Sequence, residues 1–127
     1  MKIQKINKIL NNTCDLFFYN KLRSSIKNPK RIFFLKANKN CIRGNHAHKI
    51  CNQLFLSIKD TVELLIDDGK KENKFILKPG DFLKVKPYHW VRVKLKKNQI
   101  ICVICDTPYS KKEYIRDYSE FQKKIKT

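Results

Sequence analysis

Short apolar runs separated by turn residues make up most of the chain, and most show the period of two of a half-buried strand. Residues 31–36 carry Ile32, Phe33, Phe34 and Leu35, so this run is apolar on both faces. Residues 53–57 and 61–66 read as the next two strands, joined near Lys59 and Asp60. Asp67-Asp68-Gly69-Lys70 is a hairpin turn, because Asp-Gly tolerates the positive φ of tight turns, and residues 74–77 pair back. A second turn at Pro79-Gly80 leads into residues 81–86, roughly apolar and polar by turns. Val91, Val93 and Leu95 then share one face, Arg92, Lys94 and Lys96 the other, and residues 100–105 close the series. Residues 16–19 form a short aromatic strand and residues 21–30 a polar connection. Residues 1–12 fit either a helical turn or a twisted edge strand.

One segment is plainly helical. Tyr114, Tyr118, Phe121 and Ile125 fall four, three and four residues apart, an apolar stripe that would dock on a sheet. Ser110 followed by Glu113 has the spacing of a capping box, so the helix is expected over residues 110–126. Many strands with no helices between them exclude βαβ units. They predict an all-β antiparallel sandwich or barrel with a C-terminal helix, as one domain over residues 1–127.

Composition narrows the function classes. The net charge of +18 invites an anionic partner, but the lysines are spread over the whole length. A nucleotide diphosphate would satisfy this charge as well as DNA or RNA, and the expected partner is the former. No apolar run approaches the roughly 18 residues of a membrane span. Met1-Lys2-Ile3-Gln4-Lys5 opens no signal peptide, so a cytoplasmic protein with no membrane partner is expected. Five cysteines, odd in number and irregular in spacing, fit reduced thiols rather than a disulfide framework. Cys102 and Cys105 lie in an apolar strand and face opposite sides, so they cannot grip one ion.

The chemistry-bearing stretch is Arg43-Gly44-Asn45-His46-Ala47-His48-Lys49, which holds two of the three histidines. In an extended chain, His46 and His48 point the same way. Two imidazoles on one wall can bind a metal or share acid and base work on one substrate.

This run, followed by Gln53, resembles the sugar 3,4-ketoisomerases of the cupin superfamily, the WxcM-like domains. Arg31-Ile32-Phe33-Phe34 looks like the strand before their histidine motif, Asp67-Asp68-Gly69 like their central turn, and Pro87 with Trp90 like a later strand. The stretch from Tyr114 through Arg116-Asp117-Tyr118 to Phe121 looks like their closing helix. The resemblance implies a cupin jelly roll and a homodimer whose N-terminal strands, within residues 1–30, can be exchanged. It implies a dTDP-linked 4-keto-6-deoxyhexose as substrate, with the carbonyl moved from C4 to C3 through an enediol. The 3-keto product would feed an aminotransferase making a 3-amino sugar of surface polysaccharide. No cofactor and no metal are expected.

His46 and His48 are the expected acid and base, in an order the sequence leaves open. Arg43, Asn45, Gln53, Arg31 and Trp90 are the expected substrate-binding residues, whereas Arg116, Asp117 and Tyr118 are expected to dock the helix. Many members carry a tyrosine before the motif, where Phe33 and Phe34 stand here. Members often place a histidine after the tryptophan; here Val91 follows Trp90, and His89 precedes it. Three rivals are a metal-dependent cupin with His89 as third ligand, a sister isomerase or epimerase, and a non-catalytic nucleotide- or nucleic-acid-binding module.

Overall fold

Alternation turns the apolar runs into strands because it lets each bury one face. The computed structural model describes residues 1–126. Its strands are β1 (Gln4–Lys5), β2 (Asn7–Ile9), β3 (Leu16–Phe18), β4 (Arg31–Lys36), β5 (Cys41–His48) and β6 (Gln53–Leu56). There follow β7 (Val62–Asp67), β8 (Glu72–Leu77), β9 (Asp81–Val85), β10 (Trp90–Leu95), β11 (Ile100–Cys105) and β12 (Tyr114–Ile115). A single helical turn, α1 (Leu22–Ser25), interrupts the polar connection, and α2 (Tyr118–Lys126) ends the described chain.

Two five-stranded antiparallel sheets form, in the orders β1-β9-β6-β11-β4 and β12-β5-β10-β7-β8. Their inner faces meet in one core: Phe55, Leu83, Ile101 and Val103 from the first sheet, Val62, Leu64, Ile66, Val91 and Val93 from the second. Each such side chain adds roughly 1.5–3 kcal/mol relative to exposure. The N-terminal segment resolves as edge structure. β1 lies along β9 of the same chain, and β2 and β3 make a separate hairpin. Phe17, Tyr19, Leu22 and Ile26 cover part of the first sheet's outer face around Leu54 and Phe82.

The helix starts later than residue 110. Ser110 makes no side-chain cap, residues Lys111–Glu113 form one 3-10 turn, and Tyr114–Ile115 pair with β5 as a strand. The cap is Asp117, whose Oδ1 accepts the backbone N–H groups of Ser119 (2.9 Å) and Glu120 (3.3 Å). From there the stripe behaves as expected. Tyr118 and Phe121 stack on Trp90, and Phe121, Ile125, Ala47 and Ile115 bury together. Gly69 is required under the helix end: its φ is +96°, and a Cβ there would lie 2.7 Å from the Ile125 side chain.

Candidate active site

A bulge in β5 organises the site. His46 lies opposite Val91 and Arg43 opposite Val93, but Gly44 alone faces Arg92, so Asn45 is an extra residue. Gly44 has φ +93° and Asn45 φ +57°, the left-handed backbone such a bulge uses. Residues directly opposite share a face, and Val91 and Val93 belong to the core. Arg43 and His46 therefore both point inward, although three positions apart they would face opposite ways in a regular strand. Two residues on, His48 points inward as well.

Between β4 and β6 on one side and β5 and β10 on the other lies a cavity of about 450 Å³. Such a volume is within the ~300–1,000 Å³ of small-ligand sites. Arg43, His46 and Gln53 line it, together with Phe33, Tyr109, Tyr114 and Arg116. A groove of about 520 Å³ elsewhere, lined by Ile42, Ile76 and Glu63, holds no comparable chemistry; Glu63 there is paired with Lys74 and Lys94.

The two imidazoles meet edge to face, with centroids 5.2 Å apart. His46 borders the cavity, and its Nδ1 donates to the Gly44 carbonyl at 3.1 Å, leaving Nε2 with a free lone pair. Burial, then the charges of His48, Arg116 and Arg31, hold its pKa down to about 4. His48 lies deeper and is only 4% exposed. Burial lowers its pKa too, although Glu113 opposes the shift. The Glu113 carboxylate sits 3.4 Å from His48 Nδ1 and accepts the backbone N–H groups of Ile50 (3.0 and 3.1 Å) and Cys51 (2.6 Å).

Sequence reasoning missed Tyr114. Its ring packs against His46 and His48, with centroids 4.8 and 4.5 Å away, because β12 sets it opposite His48. A phenol thus enters the site from β12 where Phe33 of β4 offers none. Arg116, expected to dock the helix, instead lies over the Tyr114 ring at 4.4 Å and lines the cavity. Arg31 donates from Nη2 to the Tyr114 hydroxyl (3.2 Å) and the Cys105 sulfur (3.6 Å). Gln53 also donates to that sulfur, at 3.5 Å. The thiol of Cys105 is brought down to about 6, first by a hydrogen bond from Cys51, then by those from Gln53 and Arg31.

Three expected substrate contacts do not line the cavity: Arg31, which is bonded to Tyr114 and Cys105 instead, Trp90 and Asn45. Trp90 alternates with inward-facing Val91, so it turns outward beneath α2 and is 6% exposed. Asn45, the bulged residue, lines a separate depression with Trp90, Asp67, Arg92 and Tyr118. His89 also lies apart, beside Met1, Asp68 and Asn73, and cannot complete a metal site with His46 and His48. His48, Cys51 and Glu113 bring ligand atoms within 4.8 Å of one another. Yet both Glu113 oxygens already hold backbone N–H groups, and the hydrogen bond to Cys105 and burial push the Cys51 thiol up. That donor set does not fit a resident ion.

The family model described as "FdtA: WxcM-like, C-terminal" matches residues 1–126. A TDP-4-oxo-6-deoxy-alpha-D-glucose-3,4-oxoisomerase of Aneurinibacillus thermoaerophilus is 30% identical over 103 residues, 80% of this chain and 73% of that protein. The TDP-fucose-3,4-ketoisomerase structure from Campylobacter jejuni is 30% identical with a TM-score of 0.83, covering 98% of this chain and 94% of its own. A 3,4-ketoisomerase from Helicobacter canadensis is 27% identical with a TM-score of 0.88, covering 99% and 97%. The fold is the all-β cupin jelly roll with a C-terminal helix. Sheet order, the paired histidines and a match over nearly the full length agree: the chain belongs to the FdtA, WxcM-like C-terminal family of sugar 3,4-ketoisomerases.

Proposed function

We propose that this chain, as a one-domain enzyme, converts a dTDP-linked 4-keto-6-deoxyhexose to its 3-keto isomer, with His46 as the base at C3. The observation that carries this is a neutral imidazole on a cavity wall, its Nε2 lone pair free and three guanidinium groups, Arg31, Arg43 and Arg116, nearby. The C3 proton is acidified by the adjacent ketone, and a positioned base contributes roughly 10²–10⁴-fold to its removal. Arg43, at the rim, suits the diphosphate because guanidinium offers a fixed fork of donors. Gln53 reaches the sugar from β6. The 3-keto product is a substrate for an aminotransferase in surface-sugar synthesis. Incubation with dTDP-4-keto-6-deoxyglucose should give a dTDP-3-keto sugar by NMR; an unchanged sugar would refute the activity.

The depressed His46 pKa fixes the pH dependence. A free imidazole protonates near pH 6.5, whereas His46 does so at about 4. The acid limb of kcat/KM should therefore fall near pH 4 rather than 6.5. Stability follows the same sign. Between about pH 6.5 and 4 the unfolded chain binds more protons than the folded one, so stability drops as pH falls through that window. Thermal unfolding across this range, in wild type and His46→Asn, measures it; the variant should lose less.

The homodimer belongs to the same proposal. β4 is an edge strand, and its outward side chains Ile32 and Phe34 are 59% and 62% exposed. An apolar edge strand is a pairing surface unless covered. Ile32→Glu with Phe34→Glu should give a monomer in analytical ultracentrifugation, and a persisting dimer would overturn this placement. The cysteines are all free thiols, consistent with a reducing cytoplasm. Among the described residues, no helix is long and apolar enough to cross a membrane.

A further inference from the structure

Moving a carbonyl between neighbouring carbons needs more than a carbon base. The ketone oxygen at C4 must gain a proton as the C3–H bond breaks, and the hydroxyl at C3 must later lose one. His46 cannot do this while it holds the carbon proton, and its Nδ1 is spent on the Gly44 carbonyl. His48 is shut behind it, 4% exposed.

We infer that Tyr114 is a catalytic residue of this reaction, its phenol passing protons to and from the two sugar oxygens, with Arg31 as its positioning residue. The inference rests on the isomerase reading given above. Tyr114 lines the same cavity as His46 and stacks against both imidazoles. Arg31 Nη2 donates to its oxygen at 3.2 Å. That oxygen is thereby an acceptor from Arg31, which leaves its own proton free for the sugar. Arg31 is fixed in turn: it donates to Cys105 and lies over Phe33 (4.8 Å) and Tyr109 (5.6 Å). Arg116 over the ring face adds a second positive charge. The groups facing the phenol are thus Arg31, Arg116 and two imidazoles, while the nearby Glu113 carboxylate is turned to the Ile50 and Cys51 amides. Positive charge on two sides of the phenol is placed to meet the negative charge that develops on its oxygen as the proton leaves.

The protons balance without a co-reactant. His46 Nε2 takes the C3 proton, the C3–H pair becomes the C3–C4 double bond, and the C4 carbonyl π pair takes the Tyr114 proton as an O–H. In the return, the C3 hydroxyl gives its proton to the phenolate and becomes the ketone. The double-bond pair collects the proton held by His46 at C4. Enzyme and charge are restored.

Tyr114→Phe keeps the ring packing and removes only the hydroxyl. It should lower kcat by about 10²-fold or more, with KM, dTDP binding and thermal midpoint close to wild type. Site-specific 3-fluorotyrosine at 114 should keep activity but move the basic limb of the pH–rate profile downward, as a more acidic phenol requires; a packing role would not move it. Arg31→Met should lower kcat in the same sense. An active wild type beside an equally active Tyr114→Phe refutes this role alone. A wild type that binds dTDP and makes no product refutes the isomerase reading and this role with it.

Discussion

His46→Asn should reduce kcat by roughly 10²–10⁴-fold, the span of a single general base, while dTDP binding stays within a few-fold of wild type. Asparagine keeps a polar group of similar size on the same wall but has no basic lone pair. Nucleotide affinity should survive because Arg43, proposed to meet the diphosphate, stands on the other side of the bulge. His48→Asn separates the two rings. His48 lies behind the cavity wall against Glu113, so its loss acts through the packing of Tyr114 and His46. The expected order of damage is therefore His46 above His48. Equal or inverted losses would assign carbon chemistry to the deeper ring.

The second large effect is expected from Gly44→Ala, which adds one methyl far from any proton transfer. Its Cβ would lie 2.7 Å from the Val91 carbonyl oxygen, a backbone atom that cannot swing aside, and alanine would have to adopt φ +93°. The backbone term alone costs about 1–3 kcal/mol. Relief of the clash means losing the bulge, and with it the parity that puts Arg43 and His46 on one wall. A displacement of ~1 Å can cost 10²-fold in rate, so kcat/KM should fall by about that much together with the denaturation midpoint. Asn45→Gly is the control: it keeps the left-handed position and removes only an outward side chain, so activity should change little. A fully active and stable Gly44→Ala would mean that the bulge does not set the site.

The bulge also explains what the sequence could and could not show. Period-two alternation is local, so the shared face of His46 and His48 was legible at once, as was the inward row of Val91, Val93 and Leu95. That row already turned Trp90 outward, and α2 covers it there. Asn45 was harder. Nothing local marks which residue of Gly44-Asn45 is extra until Val91 and Arg92 come alongside. The helix start failed through competition. Ser110 and Glu113 have capping spacing, but Glu113 satisfies the Ile50 and Cys51 amides instead, and Tyr114–Ile115 gain β5 as a partner. A second signal stood further on, at Asp117 and Glu120, where the cap forms. Choosing it would have freed Tyr114 and Arg116 from the helix and brought them toward the site.

Carbon-bound hydrogen reports the central claim most directly. Wild-type protein and His46→Asn would be incubated with dTDP-4-keto-6-deoxyglucose in deuterated water and followed by NMR. Wild type should form the 3-keto product, with solvent deuterium at C4 only to the extent that the proton held by His46 exchanges before its return, and His46→Asn should show almost no conversion and no exchange at either carbon. Undiminished conversion or exchange in His46→Asn would contradict a base-and-enediol route through His46.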